Sequence, residues 1–558
     1  MPDASLLPTP LLSHQQSRPV EVREVEKAAL GRSLRIALQL TKWIARAIAR
    51  RILGRPLGPA MAAEIRGIIE EMGGLWVKTG QLLSLRTDVL SPEFSRELSR
   101  LQYAAVGFPF PLARQAIEAE LGRPLEEVFS EFEEHPIAAA SISQVHRARL
   151  RDGDVLVAVK VQRPGIERRF LRDLRVLGWL LKAMEHIPGM SYFAWDEMLW
   201  ETEQIFQEEV DYRYEASNTR RLRKSLSDHG IHVPRVFDCS TRRVLVMEWM
   251  PGELMSAYLE MAREDPGRLA AWCEENEIDP VKVGEKLFLT FFRQLFEDNL
   301  FHGDLHPGNI LLLRDNNIAL IDFGSAGSND ATMLDFYKLS MKGVGEKDFP
   351  MAVDYLFLMA ERLPPIDLEV VKEKVVRSYQ AWSERAEQKE LPYYEKSIGN
   401  MGLEAGNVLI QYKVVLSWSF MKISRTWATL DASLATLIPE VNYMKLVAKY
   451  FRGARSRGWS RLRKRGMMDL AQAAQSVRLE ADLQLEELRH TLFRSRAVLS
   501  KGQFVAAALL RFGTRALQIA VVVVLVIYVP HKTATLLLMA LLILLLFGMR
   551  RKLEGTAA

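Results

Sequence analysis

Hydrophobic and polar positions divide this chain into stretches of different period. Val155-Leu-Val-Ala-Val-Lys-Val161 is short, β-branched and almost uninterrupted, which predicts a buried strand. Arg243-Val-Leu-Val-Met-Glu-Trp-Met250 reads the same way and stops at Pro251-Gly252. Ile310–Leu313, the turn residues Arg314-Asp-Asn-Asn317 and Ile318–Ile321 predict a hairpin. Strand signals occupy about 137–163 and 232–250, while 60–130, 165–230, 265–300 and 330–500 carry helical periodicity. Ser91-Pro92 is a helix start, a capping hydroxyl followed by proline at the first helical position.

The two ends differ from this middle. Residues 1–24 lack periodicity and predict a disordered tail with no apolar core of a secretory signal. Residues 25–55 hold Lys42, Trp43, Arg46, Arg50 and Arg51 among Ile, Leu and Ala. That pattern fits a helix packed on the core or a helix lying on a membrane surface. Residues 452–465 carry seven Arg/Lys in fourteen positions, suited to a solvated linker or an anionic-lipid contact. Ala516–Val529, broken only by Gln518, and Thr533–Met549 are apolar on every side. As helices they span about 21 and about 25 Å, against a hydrocarbon core of roughly 30 Å. Arg511 and Arg515 precede the first run, and Arg550, Arg551 and Lys552 follow the second. Those flanks meet at one end of a hairpin, the cytoplasmic end by charge bias. A membrane hairpin is therefore expected over 516–549, with the catalytic part cytoplasmic; a buried core hairpin is the alternative.

Composition narrows the classes. A net charge of +5 over 558 residues is too mild for a nucleic-acid binder. Cys239 and Cys273 form no Cys/His cluster, which argues against zinc and fits a reducing compartment.

The chemistry lies in Phe301-His-Gly-Asp-Leu-His-Pro-Gly-Asn309. Asp304 and Asn309 have the spacing of a kinase catalytic loop. Phosphoryl transfer needs a carboxylate to orient the acceptor, metal ions on the nucleotide and cations on its phosphates. Asp304 is the candidate carboxylate. Asn309 and Asp322, in Asp322-Phe-Gly324, are the candidate Mg²⁺ ligands. Lys160 in Val157-Ala-Val-Lys160 is the candidate phosphate lysine. Its expected carboxylate partner is Glu215, on a helical segment with Glu209 and Asp211 on the pocket side. Glu248 and Met250 stand where a hinge would meet adenine through its backbone. No glycine occurs between Gly122 and Gly153, where a phosphate loop belongs. Ala138-Ala-Ala-Ser141 stands there instead, so nucleotide is expected to be held differently from that in an ordinary protein kinase.

Together with Lys78-Thr-Gly-Gln81 and VAVKVQRPG at 157–165, these residues resemble the UbiB/aarF atypical kinase-like family, which includes the mitochondrial coenzyme Q kinases. The resemblance covers about 60–330. It implies an α+β, two-lobed protein-kinase-like fold with an N-terminal helical extension. It also implies that Lys78 and Gln81 belong to a segment folded over the active site. It associates the chain with ATP hydrolysis stimulated by lipids or quinone precursors, and with ubiquinone biosynthesis. The domains expected are a helical extension at 25–130, a smaller lobe at 131–252 and a larger lobe at 253–450. A basic linker and helix at 451–515 and the hydrophobic hairpin would follow.

The function expected is a membrane-anchored atypical kinase or ATPase using Mg²⁺ with ATP or ADP, in the bacterial inner membrane. Anionic lipids, quinone precursors and quinone-synthesis enzymes are the partners this implies, and no nucleic acid. A protein kinase acting in trans and a nucleotide-gated, non-enzymatic scaffold are the alternatives.

Overall fold

The computed structural model describes residues 8, 20–22, 30–53, 58–85, 94, 97–98, 101, 106–140, 142–185, 195–363 and 367–465. Ser91-Pro92, the chain after 465 and both apolar runs at 516–549 lie outside the described residues, as does the 1–24 tail apart from 8 and 20–22. No helix among the described residues is long and apolar enough to cross a membrane.

The N-terminal part is helical. α1 (Leu30–Ile52), α2 (Pro59–Met72) and α3 (Leu75–Leu85) follow one another. Trp43 on α1 donates its indole N–H to the Met61 carbonyl at 2.9 Å, and its ring lies 6.3 Å from Phe94. Arg46 pairs with Glu64. The basic stretch is thus a packed helix at Trp43. One tail residue departs from expectation: the Gly107 N–H donates to the Glu21 carbonyl at 2.7 Å, within a Val22–Gly107 bridge.

The first sheet contains β1 (Phe129–Phe132), β2 (Ala138–Ala139), β3 (Ser143–Leu150), β4 (Leu156–Gln162) and, after β5 (Ile231–His232), β6 (Val244–Glu248). Its order is β1-β3-β4-β6, with β2 on β3, all antiparallel. β4 alternates as a strand must. Val157, Val159 and Val161 enter one core with Val244, Val246, Phe129 and Ile117, the last from α4 (Phe110–Leu121). The intervening Ala158, Lys160 and Gln162 point to the other face. β1 begins at the end of the stretch expected to be helical, 60–130, and extends past it. Its two buried or half-buried aromatics, Phe129 and Phe132, are three residues apart, a spacing that a helix shares.

After α5 (Trp195–Val210), α6 (Tyr212–Leu226) lies on this sheet, with Tyr212 and Ala216 packed on Leu245. The second sheet runs β5-β9-β8-β7, with β7 Glu253–Leu254, β8 Ile310–Leu312 and β9 Ile318–Leu320. β5 pairs with β9 in parallel, and the rest is antiparallel. The predicted β8–β9 hairpin is present. Asp315 and Asn316 at its tip have φ of 55° and 56°, as a type I′ turn requires.

Below it, α7 (Pro280–Arg293) buries Phe288, Phe291 and Phe292. After α8 (Ala331–Glu346) come α9 (Trp418–Leu437) and α10 (Tyr443–Arg465), and Phe288 meets Trp427 at 5.4 Å and Tyr443 at 5.5 Å. α10 carries the basic stretch from 452 as helix. Arg457 there is committed to Glu297 at 2.7 Å. A short strand pair, Ala360–Arg362 with Val415–Leu416, interrupts the helical region after 330.

Candidate active site

Lys160 sits on the inner face of β4 and is 9% exposed. Its Nζ donates to both oxygens of Glu215 at 2.8 Å and lies 3.4 Å from Asp322 Oδ2. The Tyr212 ring centroid is 5.5 Å away. Burial opposes the ammonium charge, but the Asp322 and Glu215 carboxylates outweigh it and hold Lys160 above its ordinary range. Burial pushes the Glu215 carboxyl up to about 7, Lys160 pulls it down and Asp322 adds to the rise.

Glu215 reaches this position because α6 buries Tyr212, Glu215, Ala216, Thr219 and Leu222, the spacing of one helix face. An acid inside that stripe is the local sign of a buried partner. The helical segment expected through 209–215 is broken. α5 ends at Val210, and Asp211 caps α6 by accepting the Arg213 N–H at 3.0 Å. Asp211 also holds the Arg213 guanidinium at 2.6 Å, which keeps its pKa low. Its carboxylate therefore serves the cap and Arg213. Glu209 is half-buried, and its charge bears on Glu215.

The loop Phe301–Asn309 lies between α7 and the β8–β9 hairpin in the chain. His302 is fully buried, its Nε2 3.0 Å from the Ile321 carbonyl and its Nδ1 accepting the Asp304 N–H at 3.4 Å. Burial lowers its pKa, and this bonding is that of a neutral ring with its proton on Nε2. Gly303 has φ 77°, and a Cβ there would fall 1.9 Å from the Ser325 carbonyl oxygen. Only glycine fits. Asn309 donates its amide N–H to the Asp304 carbonyl at 3.1 Å, which turns its amide oxygen away from that carbonyl. The Ile321 N–H donates to the Asn309 carbonyl at 3.0 Å, so the hairpin sets Asn309 beside the strand end that carries Asp322.

Asp322 has φ 60° and a side chain 47% exposed. Two carboxylates, Asp322 and Glu215, thus face one ammonium. The surplus negative charge and the hard oxygens of Asp322 and Asn309 suit Mg²⁺, which takes few protein ligands and completes its shell with phosphates and water. Among the described residues no group of three or more His, Cys, Asp or Glu could hold a metal on its own.

Sequence reasoning missed Arg425 on α9, whose Nη2 lies 3.2 Å from Asp304 Oδ2. It is 121 residues from its partner, and no local pattern marks it. Ala138 and Ala139 form β2 against Val145 and Gln144, and the Ala140 N–H donates to the Ser143 carbonyl at 2.8 Å. The alanine segment thus pairs with β3, the neighbour of the Lys160 strand; Ser141 lies outside the described residues. Glu248 ends β6, exchanging its N–H and carboxylate with the Arg235 backbone at 2.8 and 3.0 Å. The Met250 side chain is buried against Leu311, Leu313 and Ala319. Lys78 and Gln81 lie mid-helix on α3, with side chains outside the described residues. Gly80 between them lets α3 approach closely, since a Cβ there would come within 3.3 Å of Ile69 and closer still to Leu101.

A family model for the ABC1 atypical kinase-like domain matches residues 100–355. "Protein ACTIVITY OF BC1 COMPLEX KINASE 7, chloroplastic" of Arabidopsis thaliana is 30% identical over 395 residues, 70% of this chain and 54% of that protein. "Probable protein kinase UbiB" of Aliivibrio fischeri is 33% identical over 265 residues, 47% of this chain and 46% of that one. "Uncharacterized protein slr0889" of Synechocystis is 31% identical over 327 residues, 56% of this chain and 77% of that protein. The chain spans about half the length of the chloroplast and UbiB relatives it matches.

Proposed function

This chain belongs to the ABC1/UbiB atypical kinase-like family, and on that premise we propose that it is a Mg²⁺-dependent atypical kinase or ATPase supporting isoprenoid quinone biosynthesis at a membrane. The observation that carries the reading is the Lys160–Glu215–Asp322 cluster, with a second carboxylate surplus to the one cation. Asp322 and the Asn309 amide oxygen would hold Mg²⁺, and Lys160 would meet the nucleotide phosphates. When bound, Mg²⁺ neutralises phosphate charge. Asp304 would orient the attacking water or acceptor hydroxyl. The alanine hairpin and the Glu248–Met250 hinge would close over the nucleotide.

The link to ubiquinone comes from the family resemblance and the UbiB relatives. Anchoring at the bacterial inner membrane, with the described part cytoplasmic, rests on the apolar runs at 516–549. Trans protein phosphorylation is the weaker reading, because Arg425 stands on the Asp304 carboxylate where an acceptor hydroxyl would dock. Its helix α9 also touches α3, which carries Lys78 and Gln81.

The test is Mg²⁺-dependent ATP hydrolysis by the full chain in vesicles of anionic lipid. Asp322→Asn should lower it by about 100-fold or more. Equal rates for parent and Asp322→Asn would end this assignment.

A further inference from the structure

Phosphoryl transfer places charge on the terminal phosphate, and a positioned cation there is among the largest aids an enzyme can supply. Lys160, which would meet the phosphates from the β4 side, is already engaged. Both Glu215 oxygens hold it at 2.8 Å, on the side of the site set by β4 and α6. The loop Phe301–Asn309 contains no Lys or Arg at all. His306, two residues after Asp304, spends its Nδ1 accepting the Gly308 N–H at 3.1 Å.

A cation does reach the loop from elsewhere. Arg425 projects from α9, which packs on the turn Pro307–Asn309, and meets Asp304 at 3.2 Å. Both side chains are mostly buried, at 18% and 23% exposure. A guanidinium is a rigid fork of five N–H donors, so one nitrogen on a carboxylate leaves others for phosphate oxygens.

We propose that Arg425 is the residue that contacts the terminal phosphate of a bound nucleoside triphosphate, supplied by α9 in place of a cation from the catalytic loop itself. This deepens the proposed function and rests on it. Without nucleotide, Arg425 is parked on Asp304. With a triphosphate bound, its fork spans Asp304 and the phosphate, so α9 and the α3 helix it touches register whether that phosphate is there.

The test compares binding of ADP with that of a non-hydrolysable ATP analogue, both with Mg²⁺, to the full-length chain. Arg425→Gln should weaken the analogue by about 10-fold or more and change ADP by less than about 2-fold. Arg425→Lys, which keeps the charge and guards against misfolding, should recover part of the loss. The same selective loss should persist when Arg425→Gln is combined with Asp304→Asn. Equal weakening of both nucleotides, or disappearance of the loss in the Asp304→Asn background, would reduce Arg425 to a clamp on Asp304 and overturn the proposal. These readouts need no turnover, so they stay decisive if the parent fails to hydrolyse ATP. A parent that binds neither nucleotide would sink the proposed function itself, and this proposal with it.

Discussion

His302 bonds the Ile321 carbonyl through Nε2 at 3.0 Å, one residue before Asp322, and accepts the Asp304 N–H through Nδ1 at 3.4 Å. One buried ring therefore ties the Asp304 backbone to the strand end that carries Asp322. Its Phe323 neighbour, at 4.9 Å between ring centroids, packs against it. His302→Leu removes the partners of a half-buried carbonyl and N–H, each such bond contributing about 1 kcal/mol. We expect a kcat loss of about 10-fold or more with nucleotide affinity little changed, and steady-state kinetics would check it.

The same ring gives a signed pH dependence. Its folded pKa lies below the ordinary 6.5, so as pH falls the unfolded chain takes a proton that the folded chain refuses. Its contribution to stability is present above about pH 6.5 and lost as pH falls below it. Denaturant titrations across that range should show a shallower acid loss for His302→Leu than for the parent. An unchanged slope would mean that the ring does not stay neutral when folded.

Gly303→Ala is expected to be severe. It would place a methyl group 1.9 Å from the Ser325 oxygen at a φ of 77°. Positive φ alone costs about 1–2 kcal/mol, and the backbone clash adds to it. Hydrolysis should be lost and the melting temperature lowered. An active, fully stable Gly303→Ala protein would contradict this geometry.

Lys160→Met and Glu215→Gln should differ in their response to Mg²⁺. Removing Lys160 leaves Glu215 and Asp322 facing each other without a cation, and Glu215, which burial already raises to about 7, is driven to hold a proton. Removing the Glu215 charge leaves Lys160 with Asp322 at 3.4 Å. Millimolar Mg²⁺ should therefore raise the melting temperature of Lys160→Met more than that of the parent or of Glu215→Gln. Identical shifts in all three would exclude Mg²⁺ binding at this cluster.

Gly80→Ala tests the packing of α3. The added methyl group must displace Leu101, an overpacking worth about 1–3 kcal/mol. Combining it with Leu101→Ala should recover part of that cost, which a double-mutant cycle on melting curves would reveal.

Much of this was legible in the chain itself. The β8–β9 hairpin announced itself through two apolar runs around Asp315 and Asn316, and Asp304, Asn309 and Lys160 through order and spacing. Glu215 was readable as an acid where α6 needs an apolar residue. What escaped was non-local or masked by a shared period. β1 was hidden by aromatics three apart, and the break at Asp211 by acids compatible with a continuous helix. Arg425 was invisible because its partner lies on another element. The packing role of Gly80 was equally invisible, because the Ile69 and Leu101 side chains it admits lie elsewhere in the chain.

Only eight residues separate Asp322 from α8 at Ala331, and they are tied down along their length. Phe301 and Gly327 exchange both backbone hydrogen bonds, at 2.9 and 3.0 Å. Asn329 is bonded to Asn299 and to the Ser419 carbonyl, and Asp330 caps α8. Between the DFG aspartate and α8 there is thus a short, bonded link and no long, pliable segment. Any movement of α8 would be passed through this short link to the end of β9 that carries Asp322.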